Sequence, residues 1–411
     1  MTSEWIGTAE AARRLGVKPA SLYSYVSRGV LTRRTAPGTR SSLFSASEVE
    51  GLARRGRPRR APGVAELVIE TGLTQITDDR LTYRGVDAIG LAAERGLEEV
   101  AGLLWTGALG DRATAPPWQA TAEALAAGSA AQAALPAGTL PLERLQVIVP
   151  ALAAADPLRL HLDQPAVVAA GRCLIAGMVD CLSSVGSEPA HGTTIAERLV
   201  PKLCPVEPTP ALVNVLRAAL VLLADHELAA STLAARVAAS VRADPYAVVA
   251  TGLGAVGGSL HGGASFGAEV MLRSAGEPAQ AATVVGGLLR RGERIPGFGH
   301  FVYQVSDPRA AALMGLLRQA APDSVRLAVA EAAIAEAGKR ALPAPNVDFA
   351  LAALATVAEM IPGAGEVVFA VARAAGWLAH ALEEYARNTP IRPRGRYIGP
   401  TIGPGAGALP A

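Results

Sequence analysis

Four stretches, residues 142–156, 164–183, 193–200 and 209–224, bring apolar residues back at helical spacing, and nothing else constrains the fold so strongly. Ala and Leu dominate a composition that is 50% hydrophobic and only 4% aromatic. Both residues lose little on entering a helix, so the expected fold is mainly α. The 43 glycines and 29 prolines then punctuate helices rather than describe a disordered chain. Further helices are expected over 86–95 and 97–106, a small hairpin within 64–84, and a short helix with loops over 110–140. A chain of 411 residues has room for two or three domains, and no repeat of solenoid period is present.

Charge is unevenly placed. Residues 1–60 hold 12 Lys/Arg against 4 Asp/Glu, while the rest hold 26 against 32. Such asymmetry points to a polyanion contact at the N-terminus and gives the remainder no general attraction for DNA. Cys173, Cys181 and Cys204 lack CxxC spacing, which argues against a zinc site or a structural disulfide. Cys173 and Cys181 read as buried small hydrophobes. No signal-peptide core and no uncharged apolar run of about 18 residues is present, so a soluble, cytoplasmic protein is expected.

Residues 8–16 read as a short helix with Ala11, Ala12 and Leu15 on one face. Gly16, Val17 and Lys18 turn the chain, and Pro19 suits the first position of a second helix, Pro19–Arg28. That helix should bury Leu22 and Val26 and expose Ser21, Tyr23, Ser24, Tyr25 and Arg28 to varying degrees. Residues 33–40 look like a basic hairpin tip ending at Arg40, followed by Phe44 and a helix capped by Ser45 with Glu48 three residues later. The arrangement resembles the winged helix-turn-helix of the MerR and excisionase type, with Ser21, Tyr23, Arg28 and Arg40 as candidate DNA contacts. A solvated basic bundle is the plainer alternative. Residues 54–60, nearly all basic, form a linker that touches phosphate or is simply solvated.

Three of the six histidines lie between Asp225 and Arg309. His226 follows a strongly apolar helix at a junction and, by itself, reads as a structural histidine. His261 is surrounded by Gly257, Gly258, Gly262 and Gly263, which forgo helix propensity and let a ligand approach. His300 follows the turn Pro296-Gly297-Phe298-Gly299. Asp307-Pro308-Arg309 presents a guanidinium suited to a carboxylate. Asp348 falls in the first turn of a helix, where it either serves chemistry or merely favours the dipole. Arg373 lies within an apolar helix and needs a salt bridge or another anion. Arg392 and Arg394 flank Pro393 after the last helix, where an extension could reach a neighbouring subunit. Gly252-Leu-Gly-Ala-Val-Gly257 matches GxGxxG formally, but helical patterns surround it where a strand is required, so no dinucleotide role is expected. His161 and His191 read as surface or structural, and His380 shows no special setting.

Together these pieces resemble citrate synthase over about residues 64–400. The resemblance rests on Asp-His-Glu-Leu-Ala-Ala-Ser-Thr (225–232), Ser-Leu-His-Gly-Gly-Ala (259–264), Pro-Gly-Phe-Gly-His (296–300) with Val-Tyr (302–303) and Val-Ser-Asp-Pro-Arg (305–309), Pro-Asn-Val-Asp-Phe (345–349), and Arg-Pro-Arg (392–394) before Tyr-Ile-Gly-Pro. It implies an all-helical homodimer condensing acetyl-CoA with oxaloacetate, without metal or cofactor beyond the acyl-CoA. After the winged helix-turn-helix over 1–57, which ordinary citrate synthases lack, it implies a synthase part over 58–411, with a large subdomain (about 64–262 and 360–411) and a small one (about 263–359). Asp348 would abstract the methyl proton, His261 would stabilise the enol or enolate, and His300 would polarise and protonate the oxaloacetate carbonyl. His226, Arg309, Arg373 and Arg392 would hold the dicarboxylate, Arg392 from the partner subunit. Gln304 departs from the Lys or Arg that relatives often carry there, which should weaken CoA binding. Two alternatives stand beside this reading: a 2-methylcitrate synthase using propionyl-CoA, and a DNA-bound metabolite sensor on the same fold.

Overall fold

A computed structural model describes residues 5–49, 68–395 and 398, apart from 16, 18, 28–29, 37–41, 78, 111–115, 188–192, 259–260, 262 and 304. The chain divides into two compact units, Met1–Glu70 and Thr71–Ala411.

In the first unit, strands β1 (Trp5–Gly7), β2 (Arg33–Thr35) and β3 (Ser42–Ser45) form an antiparallel sheet ordered β1-β3-β2, with Ile6 opposite Phe44 and Arg34 opposite Leu43. Helices α1 (Thr8–Leu15) and α2 (Pro19–Ser27) follow β1. Ala11, Ala12, Leu22 and Phe44 meet in its core. Tyr25, expected to be partly exposed, is buried there as well. It lies three residues after Leu22 and so shares that residue's stripe of the helix. Residues 46–49 are helical, and Ser45 Oγ accepts the Glu48 N–H at 3.5 Å as expected. The Glu48 carboxylate does not complete a capping box; it accepts the Thr32 N–H at 2.6 Å and pins the start of β2.

The second unit opens with a meander, β4 (Thr74–Thr77), β5 (Arg80–Tyr83) and β6 (Val86–Asp87), that contains the expected hairpin. Helices then follow almost without interruption: α3 (Ala88–Glu94), α4 (Leu97–Thr106), α5 (Ala122–Ala133), α6 (Pro141–Ala155), α7 (Gln164–Asp180), α8 (Ile195–Leu203) and α9 (Pro210–Leu223). The second half holds α10 (Ala230–Ser240), α11 (Pro245–Val256), α12 (Gly263–Ser274), α13 (Ala281–Arg290), α14 (Pro308–Ala320), α15 (Val325–Lys339), α16 (Val347–Val357) and α17 (Ala364–Arg387). Helix α3 starts later than its apolar spacing suggests because Asp87 caps it, accepting the Gly90 N–H at 2.7 Å. Among the described residues, no helix is long and apolar enough to cross a membrane.

Helix α17 is the axis of this unit. Every residue from Ala364 to Ala381 is buried, and the helix packs against α4, α6, α7, α9, α10, α11, α12 and α16. Small residues make this possible. A Cβ on Gly376 would run into the carbonyl of Ala224 and the carboxylate of Asp225, so the C-terminal end of α9 rests directly on α17. Trp377, fully buried, occupies the space that a side chain at Gly252 would take, 2.6 Å from an ideal Cβ there. The GxGxxG glycines therefore belong to α11 and its end, with Gly252 serving helix packing.

Several charges are buried in the same region. Arg236 bonds Glu384 at 2.6 Å, Glu383 at 2.7 Å and His380 Nδ1 at 2.6 Å. His380 Nε2 in turn meets Asp225 at 3.2 Å, and Asp225 accepts the Thr74 hydroxyl. His380 thus departs from its unremarkable appearance in the sequence: arginine can only donate, so Nδ1 accepts and Nε2–H donates to Asp225. Cys181 and Cys204 are buried, whereas Cys173 is only half-buried, and all three are free thiols. His161 is exposed, and His191 lies outside the described residues.

Replacing Gly376 by Ala should cost about 3 kcal/mol or more, because the blocking groups include main chain and cannot swing aside. Gly315→Ala in α14, where a Cβ meets nothing within 4 Å, should be neutral or stabilising by about 0.5–1 kcal/mol. Urea midpoints of the two variants test the pair.

Candidate active site

Three local devices place the candidate residues. First, α9 ends at Leu223, and the chain turns through Glu227, which adopts a left-handed φ of 52° before α10 begins. A non-glycine residue in that region is uncommon. His226 sits in this turn, buried, and Arg373 donates its Nε–H to the Leu223 carbonyl at 2.8 Å. A cation thereby satisfies a helix C-terminus.

Second, Gly297 and Gly299 have φ of 79° and 81°, and a Cβ on Gly297 would press on the backbone of Phe349. This turn is stitched to the segment before Asp348. Asn346 N–H donates to Gly297 O at 2.9 Å, Gly299 N–H to Ala344 O at 2.8 Å, and Asn346 Nδ2 to Gly299 O at 2.8 Å. Asn346 also caps α16, accepting from Asp348 N–H at 3.0 Å.

Third, Asp307 caps α14 and grips Arg309 with both oxygens, at 3.0 Å to Nε and 2.9 Å to the terminal nitrogen. Its Oδ2 also accepts the Val347 N–H at 2.9 Å. The carboxylate thus ties Arg309 to the residue preceding Asp348.

These devices bring most of the candidates together. The rings of His226 and His300 lie 5.2 Å apart, and Tyr303 touches both. His300 Nδ1 accepts from Val302 N–H at 3.0 Å and Tyr303 N–H at 3.3 Å, two main-chain donors that outweigh the longer approach of Arg309 to Nε2 and so assign the ring proton to Nε2. Arg309 lies 3.4 Å from that Nε2. His261 Nε2 accepts the Ser231 N–H at 3.3 Å and lies 2.8 Å from the Ser231 hydroxyl, so its proton is on Nδ1. The His261 ring packs edge-on to Phe369 at 5.7 Å, and the Arg373 guanidinium lies over the same ring at 4.6 Å.

Burial and cations set the charges. Burial, then Arg373, pushes the His261 pKa down to about 4, and burial with Arg309 does the same to His300. Burial, followed by Arg309 and Arg373, takes His226 well below its ordinary range. All three imidazoles are neutral at neutral pH. Burial pushes the half-buried Asp348 up to about 7 even though Arg309 and Arg373 oppose the rise. Among the described residues, nothing donates a hydrogen bond to its carboxylate. Burial, the dominant cause, lowers Arg373 to about 10. No carboxylate lies within ion-pair distance of Arg373 among the described residues, although Arg236 and Arg309, equally buried, each have one. A structural salt bridge does not explain Arg373.

Not every candidate joins the cluster. Arg392 is exposed beyond the end of α17. Gln304, Arg28 and Arg40 lie outside the described residues, as does the side chain of Ser21. Tyr23 is exposed, with its hydroxyl 3.4 Å from Ser42 and its ring beneath Arg33. Among the described residues, no group of three or more His, Cys, Asp or Glu could hold a metal ion. Ser231, Tyr303 and Asp307 were visible inside the sequence motifs but carried no assignment, because only the fold shows which imidazole or guanidinium each one meets.

The chain is similar to known proteins over most of its length. The family model described as citrate synthase, C-terminal domain, matches residues 63–394. Citrate synthase 2 of Bacillus subtilis is 32% identical over 360 residues, covering 80% of this chain and 93% of that protein. A 2-methylcitrate synthase of Mycobacterium tuberculosis is 28% identical, covering 84% and 91%. Among solved structures, citrate synthase from Thermoplasma acidophilum, in ternary complex with carboxymethyl coenzyme A and oxaloacetate, shares the fold with a TM-score of 0.69 at 24% identity, covering 82% of this chain and 95% of that one. By its motif order, its helical architecture and these relatives, the chain belongs to the citrate synthase family, acyltransferases that condense acetyl-CoA with oxaloacetate.

Proposed function

We propose that condensation runs on Asp348, His261 and His300, with His226, Arg309 and Arg373 holding oxaloacetate. The observation that carries this reading is Arg373, a buried guanidinium with no carboxylate partner among the described residues, set among neutral imidazoles beside a second buried arginine. A buried cation without an internal anion is costly, and a dianionic substrate relieves that cost. Asp348 takes a proton from the acetyl methyl group, and His261 donates its Nδ1–H to the enolate oxygen that develops. Such a preorganised donor lowers a barrier by about 3–4 kcal/mol. The enolate carbon attacks the oxaloacetate carbonyl, and the new alkoxide takes the Nε2 proton of His300; the proton that Asp348 removed then returns to His300, which restores both groups. Water then cleaves the thioester to release citrate and CoA. No cofactor beyond the acyl-CoA is required.

The same reading assigns a large subdomain to about 64–262 and 360–411 and a small one to about 263–359, closing over substrate. In a homodimer, Arg392 of the partner subunit completes the carboxylate site, in keeping with its exposure here. Gln304 offers CoA no cation. Acetyl-CoA and propionyl-CoA differ by one methylene, worth about 1–3 kcal/mol in an apolar pocket, so relative turnover of the two thioesters decides between citrate and 2-methylcitrate synthesis. For residues 1–57 the proposal is a winged helix-turn-helix that binds DNA, supported by the α1–α2 pair, the β2–β3 hairpin and the basic charge.

Asp348→Ala should lower thiol release from acetyl-CoA and oxaloacetate by about a hundredfold or more; an unchanged rate overturns the mechanism. In the wild type, kcat/KM should climb as pH rises to about 7 and the Asp348 base loses its proton, with no histidine inflection between pH 5 and 7. The folded pKa of Asp348 lies above its unfolded value, so the stability linked to it is complete at acid pH and falls as pH rises through about 7. Asp348→Asn should therefore melt above wild type at pH 8, with the gap closing towards pH 5. Full-length protein should bind DNA with a steep salt dependence, and a chain lacking residues 1–60 should not; equal retention by both refutes the DNA reading.

A further inference from the structure

Tyr303 meets two of the proposed substrate-binding groups, His226 and Arg309, and the proposed proton donor His300, but has no part in the chemistry above. Its hydroxyl lies 3.0 Å from Nε2 of His226, its ring 4.7 Å from the ring of His300, and the Arg309 guanidinium 5.6 Å from its face. The side chain is 5% exposed, and its main-chain N–H donates to His300 Nδ1. The phenol keeps its proton, since burial pushes its pKa up to about 12. Its neighbour His226 is neutral, so one ring nitrogen donates and the other accepts. Among the described residues, the buried Tyr303 hydroxyl meets no acceptor other than this ring nitrogen, so its proton points at Nε2. Nε2 is then the acceptor and Tyr303 the donor.

We propose that Tyr303 is a positioning residue: its hydroxyl fixes His226 in one orientation and as the Nδ1–H tautomer, while its main-chain N–H helps fix His300 as the Nε2–H tautomer. The inference rests on the roles given above to His226, which holds oxaloacetate, and to His300, which protonates the new alkoxide. A single residue thereby presets two imidazoles that belong to different loops, the turn after α9 and the turn before α14. Without the hydroxyl, His226 is free to flip and to exchange tautomers in the ligand-free protein, and binding must then supply that ordering. A phenylalanine keeps the ring that packs against His300 and Arg309, so only the hydrogen bond is removed.

The test uses the full chain carrying Tyr303→Phe. Nitrogen NMR of 15N-histidine-labelled protein at pH 7.5, with His226 assigned through His226→Asn, should show a hydrogen-bonded, unprotonated Nε2 in the wild type and a tautomer mixture in Tyr303→Phe. The His300 signal should keep its tautomer. In turnover, KM for oxaloacetate should rise about three- to tenfold, the range of one hydrogen bond, with kcat and KM for acetyl-CoA nearly unchanged. An unaltered His226 tautomer, or an unaltered KM for oxaloacetate, overturns the proposal. So does a joint loss of kcat and thermal midpoint, which marks a structural role. If the wild type releases no thiol, the functional reading fails separately, and the NMR comparison still decides the role of Tyr303.

Discussion

Asp307 is the interaction on which the candidate site depends. Its two oxygens are shared among three donors: the Arg309 side chain, the Arg309 main chain and the Val347 N–H. Burial alone would push its proton affinity up, yet Arg309 holds it below the ordinary carboxylate range. A charged, fully bonded carboxylate is a rigid joint, because removing either side leaves an uncompensated charge in the interior. Through this joint, the guanidinium that faces His300 and the helix that starts with Asp348 are fixed relative to each other. The Pro-Gly-Phe-Gly turn adds a second tie between the same two segments, and the positive φ at Gly297 and Gly299 is what lets the backbones lie against each other.

Positions fixed in this way allow charges to be left unsatisfied where chemistry needs them. Asp348 receives no hydrogen bond among the described residues and has its pKa pushed up to about 7, a useful value for a base working near neutrality. His261 and His300 are kept neutral by burial and nearby arginines. Each ring has one nitrogen occupied by backbone N–H donors, which leaves the opposite N–H for the reacting oxygens of the proposed mechanism. Neutral donors of fixed direction suit an enolate and an alkoxide, since neither has to be met by a proton already on the move.

Much of this was legible in the residues and some was not. Helical spacing located α4 and α7–α9 closely because buried faces recur every three or four residues whatever lies opposite. Glycine and proline marked the turns at His261 and His300 because those conformations have few alternative sequences. Partnerships across the chain left no such trace. His380 looked ordinary because its partners, Asp225 and Arg236, lie 155 and 144 residues away. Tyr25 was placed with the exposed face of its helix, yet the stripe shared with Leu22 draws it inward. Gly252 imitated a cofactor loop when its task was to admit Trp377.

The two buried arginines beside α17 show how structure separates support from chemistry. Arg236 is saturated by Glu383, Glu384 and His380, and the assembly reaches Thr74 through Asp225. Arg373, on α17 itself, has a carbonyl and an aromatic face but, among the described residues, no carboxylate. Sequence alone treats the two alike, as cations inside apolar helices. Their environments differ because desolvating a cation is tolerable under two conditions: a permanent internal anion, or an anion that arrives with the substrate. The first gives a scaffold indifferent to ligand. The second, under the proposed role of Arg373, makes a dicarboxylate the anion that offsets the buried charge, so that binding and the order of the surrounding helices are coupled.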